Sequence, residues 1–218
     1  MTALVRYTAS NLLHSQRYLP PLLLYFVLMA ILTSGDSGPL IQLYAGCAAA
    51  LFAWAVWFTV VVVNLEDPIG RAILVVNAGG SRKVLHAAVA IALGGAVAMT
   101  AFGLFFPLLT GSHTVSAADL AIGAEGQLAC AFAGIAIGQI CSRLVIRRSG
   151  AALLAAVALV VLAFVLRWLP PVHPLLVLME GTKPAADIAL GAAGYAAIAI
   201  ALLIAATLVT QYVSVHKD

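Results

Sequence analysis

The residues able to do acid–base, nucleophilic or metal chemistry are few, and their spacing suits none of those reactions. His14, His86, His113, His173 and His216 are scattered near the ends of apolar stretches. No H-E-x-x-H or G-x-S-x-G arrangement sets a base beside a metal or a nucleophile. Cys47, Cys130 and Cys141 lie inside apolar stretches without metal-ligand spacing and read as small packing residues. Gly79-Gly80-Ser81-Arg82-Lys83 has the wrong spacing for a phosphate-binding G-x-x-x-x-G-K-[ST] loop, so the chain is not expected to hydrolyse ATP by that route. A hydrolase or metalloenzyme therefore lacks a visible catalytic set, and no bound cofactor or metal is expected.

Two other groups of residues stand out. The first is the segment 64–83. Asp67 is a good helix N-cap and Pro68 suits the first helical position. Ile69, Ala72, Ile73 and Val76 recur at the spacing of one helix face, and Gly79-Gly80 marks its end. A helix over Pro68–Ala78 with an apolar face needs lipid, the same chain or another protein to cover it. The second group sits inside apolar stretches, where polar residues are the usual functional suspects. Glu125, Gln127 and Gln139 belong to it, together with Tyr44, Phe52, Trp54, Trp57 and Phe58. Trp54, Trp57, Phe58 and Glu125 are candidates to line a pathway. Packing is the competing reading of the aromatics, and a pairing with a neighbouring helix is that of Glu125. Gly134 and Gly138 form a small-xxx-small step suited to close helix packing.

These residues are set in a chain that water does not solvate. Hydrophobic residues make up 64% of the 218 positions and charged residues only 9%, against roughly a quarter charged in soluble domains. Six apolar stretches run over Leu19–Thr33, Leu40–Val63, Val84–Thr110, Leu120–Ser142, Ala151–Leu166 and Ile188–Val213. A membrane helix needs about 20 such residues, so the first and fifth are short and the third and sixth long. The runs are continuous rather than alternating, which predicts an all-α fold of six transmembrane helices and not a barrel.

Lys and Arg set the orientation. With the N-terminus inside, Arg6, Arg17, Arg71, Arg82, Lys83, Arg143, Arg147, Arg148 and Lys217 face the cytoplasm, and only Arg167 and Lys183 lie outside. That asymmetry predicts both termini in the cytoplasm. Asp36, Asp119, Glu180 and Asp187 fall outside or at the outer boundary. The net charge of +3 is thus a topology signal and does not point to nucleic acid. A cleaved signal peptide is not expected, because nearly 20 largely polar residues precede the first apolar run. Within that N-terminal segment, Val5, Ala9, Leu12 and Leu13 share one helical flank and Arg6, Ser10, His14 and Arg17 the next, which suits a helix lying in the membrane plane. Gln16 breaks the pattern. Between positions 167 and 187, Pro170, Pro171, Pro174 and Pro184 surround the apolar run Leu175–Met179, predicting a short re-entrant or surface-lying piece.

Glu66-Asp67-Pro68-Ile69-Gly70-Arg71, the run Ala72-Ile73-Leu74 and the turn Gly80-Ser81-Arg82 resemble the first cytoplasmic loop of type-2 ABC exporter permeases. The layout of an N-terminal amphipathic helix, six spans and a longer outer segment before the last span is similar as well. Gly79-Gly80 departs from the pattern, since proline is common there in that family. The resemblance implies a single permease domain over 1–218, with an interfacial helix over 1–18, a cytoplasmic coupling loop over 64–83 and an outer lid over 167–187. It implies that Glu66, Asp67, Pro68, Ile69, Gly70, Arg71, Ile73, Ser81 and Arg82 dock against a separate ABC ATPase subunit, which binds the ATP. It also implies a second permease chain, and a pathway built from the first, second and fifth spans of both. The expected activity is export of a peptide, drug or lipid-like substrate across a cell membrane by alternating access. A six-span binding subunit of a vitamin-type importer and a non-transporting membrane enzyme or scaffold are the alternatives.

Overall fold

The structure, a computed structural model, describes residues 1–33, 39–110, 115–146, 149–166, 171–181 and 185–217. All regular elements among them are α-helices: α1 (Thr2–Ser15), α2 (Leu19–Thr33), α3 (Leu40–Val63), α4 (Pro68–Ala78), α5 (Ser81–Thr110), α6 (Ala117–Ile140), α7 (Ser149–Val165), α8 (Val172–Glu180) and α9 (Ala185–Lys217).

The centre of the bundle is the pair α3 and α6, flanked by α2, α5 and α9. Of the apolar windows, 67% of that of α3 and 61% of that of α6 are buried, against 22% for α5 and 17% for α9. The inner pair therefore packs on protein, while the outer helices turn apolar surface outward, as a lipid-solvated chain must. Glycine makes the central contact possible. A Cβ at Gly134 would lie 2.7 Å from the Phe52 carbonyl oxygen, and one at Gly138 would lie 2.7 Å from that of Val56. The small-residue step of α6 is thus pressed against the backbone of α3.

Four helices, α3, α5, α6 and α9, are long and apolar enough to cross a bilayer, and a fifth span is reached if α1 and α2, bent by 75°, count as one. Six spans are not reached by helix length. With 15 and 17 residues, α2 and α7 extend only about 23 Å and 26 Å, short of a hydrocarbon core of about 30 Å. The chain has the make-up of a membrane-embedded protein all the same, since these helices are apolar throughout.

The ends of the bundle differ. Arg17 donates to the Leu65 carbonyl, Arg71 reaches Ser81 and Ser214, and the Arg143 backbone N–H bonds Asn64. These contacts, with the adjacent Arg82 and Lys83, gather at one end, hereafter the basic end. Arg147, Arg148, Arg167, Lys183, Asp36 and His113 lie outside the described residues. At the opposite end α8 forms over the proline-flanked run 172–180 and packs on α3, α6, α7 and α9. Val172, Leu175, Leu176 and Met179 are buried, so α8 is inserted into the bundle rather than laid on its surface. Gln42 on α3 donates to the Glu180 carbonyl and anchors its last turn.

Candidate functional site

The segment around α4 is held from three directions. Locally, the Asp67 carboxylate accepts the Gly70 N–H at 3.0 Å and caps the helix, with Pro68 at the first position. Gly70 gives the cap its room, because a Cβ there would sit 2.5 Å from Asp67 Oδ1. At the other end Gly79 takes a left-handed conformation, φ 73°, which glycine adopts without cost. Gly80 follows at φ 137° and α5 starts at once.

Glu66 ties the segment to the N-terminal helix. Asn11 Nδ2 donates to Glu66 Oε1 at 2.6 Å, and the Tyr7 hydroxyl donates to the same oxygen at 3.4 Å. The Glu66 negative charge raises the Tyr7 phenol above the ordinary tyrosine range, aided by partial desolvation and the hydrogen bond itself. Arg71 ties the segment to the last helix. Its Nη2 donates to Ser81 Oγ at 3.3 Å and to Ser214 Oγ at 3.2 Å, and those two buried hydroxyls also bond each other. A charged donor shared by two hydroxyls clamps α4, α5 and α9 together at the basic end.

The clamp leaves the apolar face of α4 uncovered. Ile69, Ile73 and Val76 are 72%, 60% and 80% exposed. No residue of α4 is buried, whereas the polar side chains flanking it are engaged within the chain. Arg82 is exposed beside Ser81. Of the residues expected in this segment, Glu66, Asp67, Gly70, Arg71 and Ser81 thus build and anchor the helix, and Ile69 and Ile73 form its free face. Tyr7, Asn11 and Ser214 complete the arrangement and carried no sequence signal, because the contacts of Asn11 and Ser214 span 55 and 143 positions.

Of the four pathway candidates only Trp54 and Phe58 are brought together. Trp54 and Phe58 stack with ring centroids 4.6 Å apart and are buried against Gly95 of α5. They are packing residues of the α2–α3–α5 contact. Trp57 lies on another face of α3, 41% exposed, and lines an external groove. Glu125 is half-buried near the other end of α6 and makes no hydrogen bond or ion pair among the described residues. Two other polar side chains of α6 are better buried. Gln127 and Gln139 are fully enclosed, and their amide atoms have no partner among the described residues. Each such amide costs about 1–3 kcal/mol. Gln127 faces the bare backbone of Gly103, where a Cβ would lie 2.5 Å from its Oε1.

The free cysteines are buried and mutually unpaired. Among the described residues no cluster of His, Cys, Asp and Glu could hold a metal. In comparisons with known proteins, no family model, no curated protein and no solved structure matches the chain.

Proposed function

We propose that the chain is the transmembrane permease subunit of an ATP-driven, ABC-type transporter. It pairs with a second permease chain and with a separate ATPase, and exports a peptide, drug or lipid-like substrate by alternating access. In this reading α1 lies in the membrane plane, both termini are cytoplasmic, and α2 and α7 complete six spans by tilting little and thinning the bilayer locally.

One observation supports the reading: the α4 segment is tied to neighbouring helices by side-chain hydrogen bonds while its apolar face is free. Here Arg71 links α4 to the termini of α5 and α9, and Glu66 links the same segment to α1. A push on Ile69, Ile73 and Val76 would reach three long elements without first being lost in a flexible loop. That is what a subunit driven by nucleotide-dependent closure of a partner requires. Glu66 and Arg71, being engaged within the chain, act as anchors of the loop rather than as rim contacts to the ATPase.

The test is purification from the native membrane in mild detergent. A permease brings down a nucleotide-binding chain and ATP hydrolysis in stoichiometric amount. An importer subunit retains a small ligand, and an enzyme or scaffold brings neither.

A further inference from the structure

The charges around the free face of α4 are sorted to its two ends. Asp67 lies at the N-terminal end, and Arg82 and Lys83 follow the C-terminal end, all three exposed. The 11 residues of α4 between them span about 16 Å. Lys83 stands over the last turn of the helix, since a Cβ at Gly79 would lie 3.3 Å from its Nζ. Arg82 and Lys83 make no hydrogen bond or ion pair among the described residues. Asp67 spends only Oδ1, on its own cap, and its other oxygen has no partner among them. The surface is therefore bipolar, with an anion at one end, the apolar residues Ile69, Ile73 and Val76 in the middle and two cations at the other end.

We propose that the ATPase cleft receiving α4 has an apolar floor, a basic side chain facing Asp67 and acidic side chains facing Arg82 and Lys83. This rests on the permease reading and adds to it the partner's chemistry and the direction in which α4 lies. Apolar contact is non-directional. Opposite charges at the two ends make it directional, because α4 docked in reverse would set like charges together. Glu66 and Arg71 cannot serve this purpose, since both are engaged within the chain.

Two other occupants fit the surface less well. A helix lying on a membrane carries Lys and Arg along its own polar face. The one charged residue of α4 is Arg71, which is turned into the bundle, and Asp67 would meet anionic headgroups. A second copy meeting this one helix to helix would cover a strip about 16 Å long and about 10 Å wide. That is far below the roughly 800 Å² per partner of a stable interface, whereas a cleft encloses the helix on several sides.

The experiment uses the full-length chain purified from its native membrane, with any nucleotide-binding chain it retains marked by photolabelling with 8-azido-ATP. A water-soluble carbodiimide joins an ammonium to a carboxylate only where the two are in contact. It is expected to link Lys83 to an Asp or Glu of the photolabelled chain, located by mass spectrometry. K83R keeps the cation and the retention but abolishes the link, because a guanidinium does not react. R82Q, K83Q and D67N, the last of which keeps a helix cap, should each weaken retention about two- to fivefold, the range for an exposed ion pair. Raised salt should weaken it in the unsubstituted chain.

A photolabelled chain retained equally by all these variants, with no link to Lys83, overturns the proposal and leaves the permease reading standing. Retention of no photolabelled chain removes the permease reading, and the proposal with it. A Lys83 link to a second copy of this chain also overturns the proposal. So does quenching of a fluorophore on I73C by nitroxide-bearing lipid in the assembled complex, since the membrane then covers the face.

Discussion

The Arg71 guanidinium on α4 donates to the hydroxyl of Ser214 on α9 at 3.2 Å, although 143 positions separate the two residues. This bond closes the basic end of the bundle, and it turns a loop helix into part of a three-helix junction. Arg71→Ala removes the charged donor that reaches Ser81 and Ser214 and should lower stability in detergent by about 1.5–3 kcal/mol. Ser214→Ala should cost less, since of the two bonds it removes only one comes from the charged donor and the other joins two neutral hydroxyls. Equilibrium unfolding of both variants checks the order. Equal, negligible effects would show that the junction does not hold α4.

Glu66 should couple α1 to the loop. Asn11→Ala and Glu66→Gln each weaken that tie, the first by about 1 kcal/mol. Without the full carboxylate charge the Tyr7 phenol should titrate at lower pH in Glu66→Gln than in the unsubstituted chain. The sign follows from the cause, because it is the Glu66 charge that opposes forming a phenolate. Ultraviolet titration against a Tyr7→Phe reference reads it, and an unmoved transition would break the Tyr7–Glu66 pairing.

Glycine substitutions should separate packing from helix propensity. Gly134→Val drives a side chain into the α3 backbone and should destabilise by at least about 1–3 kcal/mol. At Gly94, on α5, an added Cβ would meet nothing within 4 Å, so Gly94→Ala should be neutral or stabilising by up to about 1 kcal/mol. Thermal unfolding in one detergent compares the two directly. If Gly134→Val were as stable as Gly94→Ala, the close α3–α6 approach would be wrong.

Orientation is tested by cysteine labelling with an impermeant thiol reagent, in a background lacking the three native cysteines. Ser116→Cys, exposed ahead of α6, should react from outside the cell, and Asn77→Cys, exposed on α4, should not. Ser81 is a poor probe because it is buried in the Arg71 junction. External labelling at Asn77 would place α4 where no cytoplasmic ATPase can reach it.

Local signals in the sequence carried over to the structure wherever the physics is local. The ranges Leu19–Thr33, Leu40–Val63 and Pro68–Ala78 coincide with α2, α3 and α4. For α4 the reason is that Asp67, Pro68 and Gly79 fix both ends through bonds within a few residues. Gln16, which spoils the N-terminal pattern, is the left-handed C-cap of α1, φ 54°, and so stands outside the periodic helix. α5 starts at Ser81 rather than Val84, because Gly79 and Gly80 leave no loop between it and α4. What depends on tertiary packing stayed hidden. Periodicity places Trp54, Trp57 and Phe58 on one helix, yet only the neighbours of α3 decide that two are buried and one lines a groove. Nothing in the local sequence joins Arg71 to Ser214 or Asn11 to Glu66. The six apolar stretches likewise do not state which helices reach across, since α2 and α7 end short of a full span.

In the proposed transporter the free face of α4 receives force from an ATPase. Replacing Ile69 and Ile73 together with Asp puts two charges on that face, and each loses about 1.5–3 kcal/mol of apolar burial in any contact made there. Both positions are exposed in the chain itself, so the double variant should insert and assemble normally. The decisive measurement is ATP hydrolysis and ATPase retention by the purified, reconstituted complex, double variant against unsubstituted chain. Loss of the ATPase or of substrate-coupled hydrolysis is expected, with the amount of assembled membrane protein unchanged. A double variant that binds the ATPase with undiminished affinity and transports normally would contradict it.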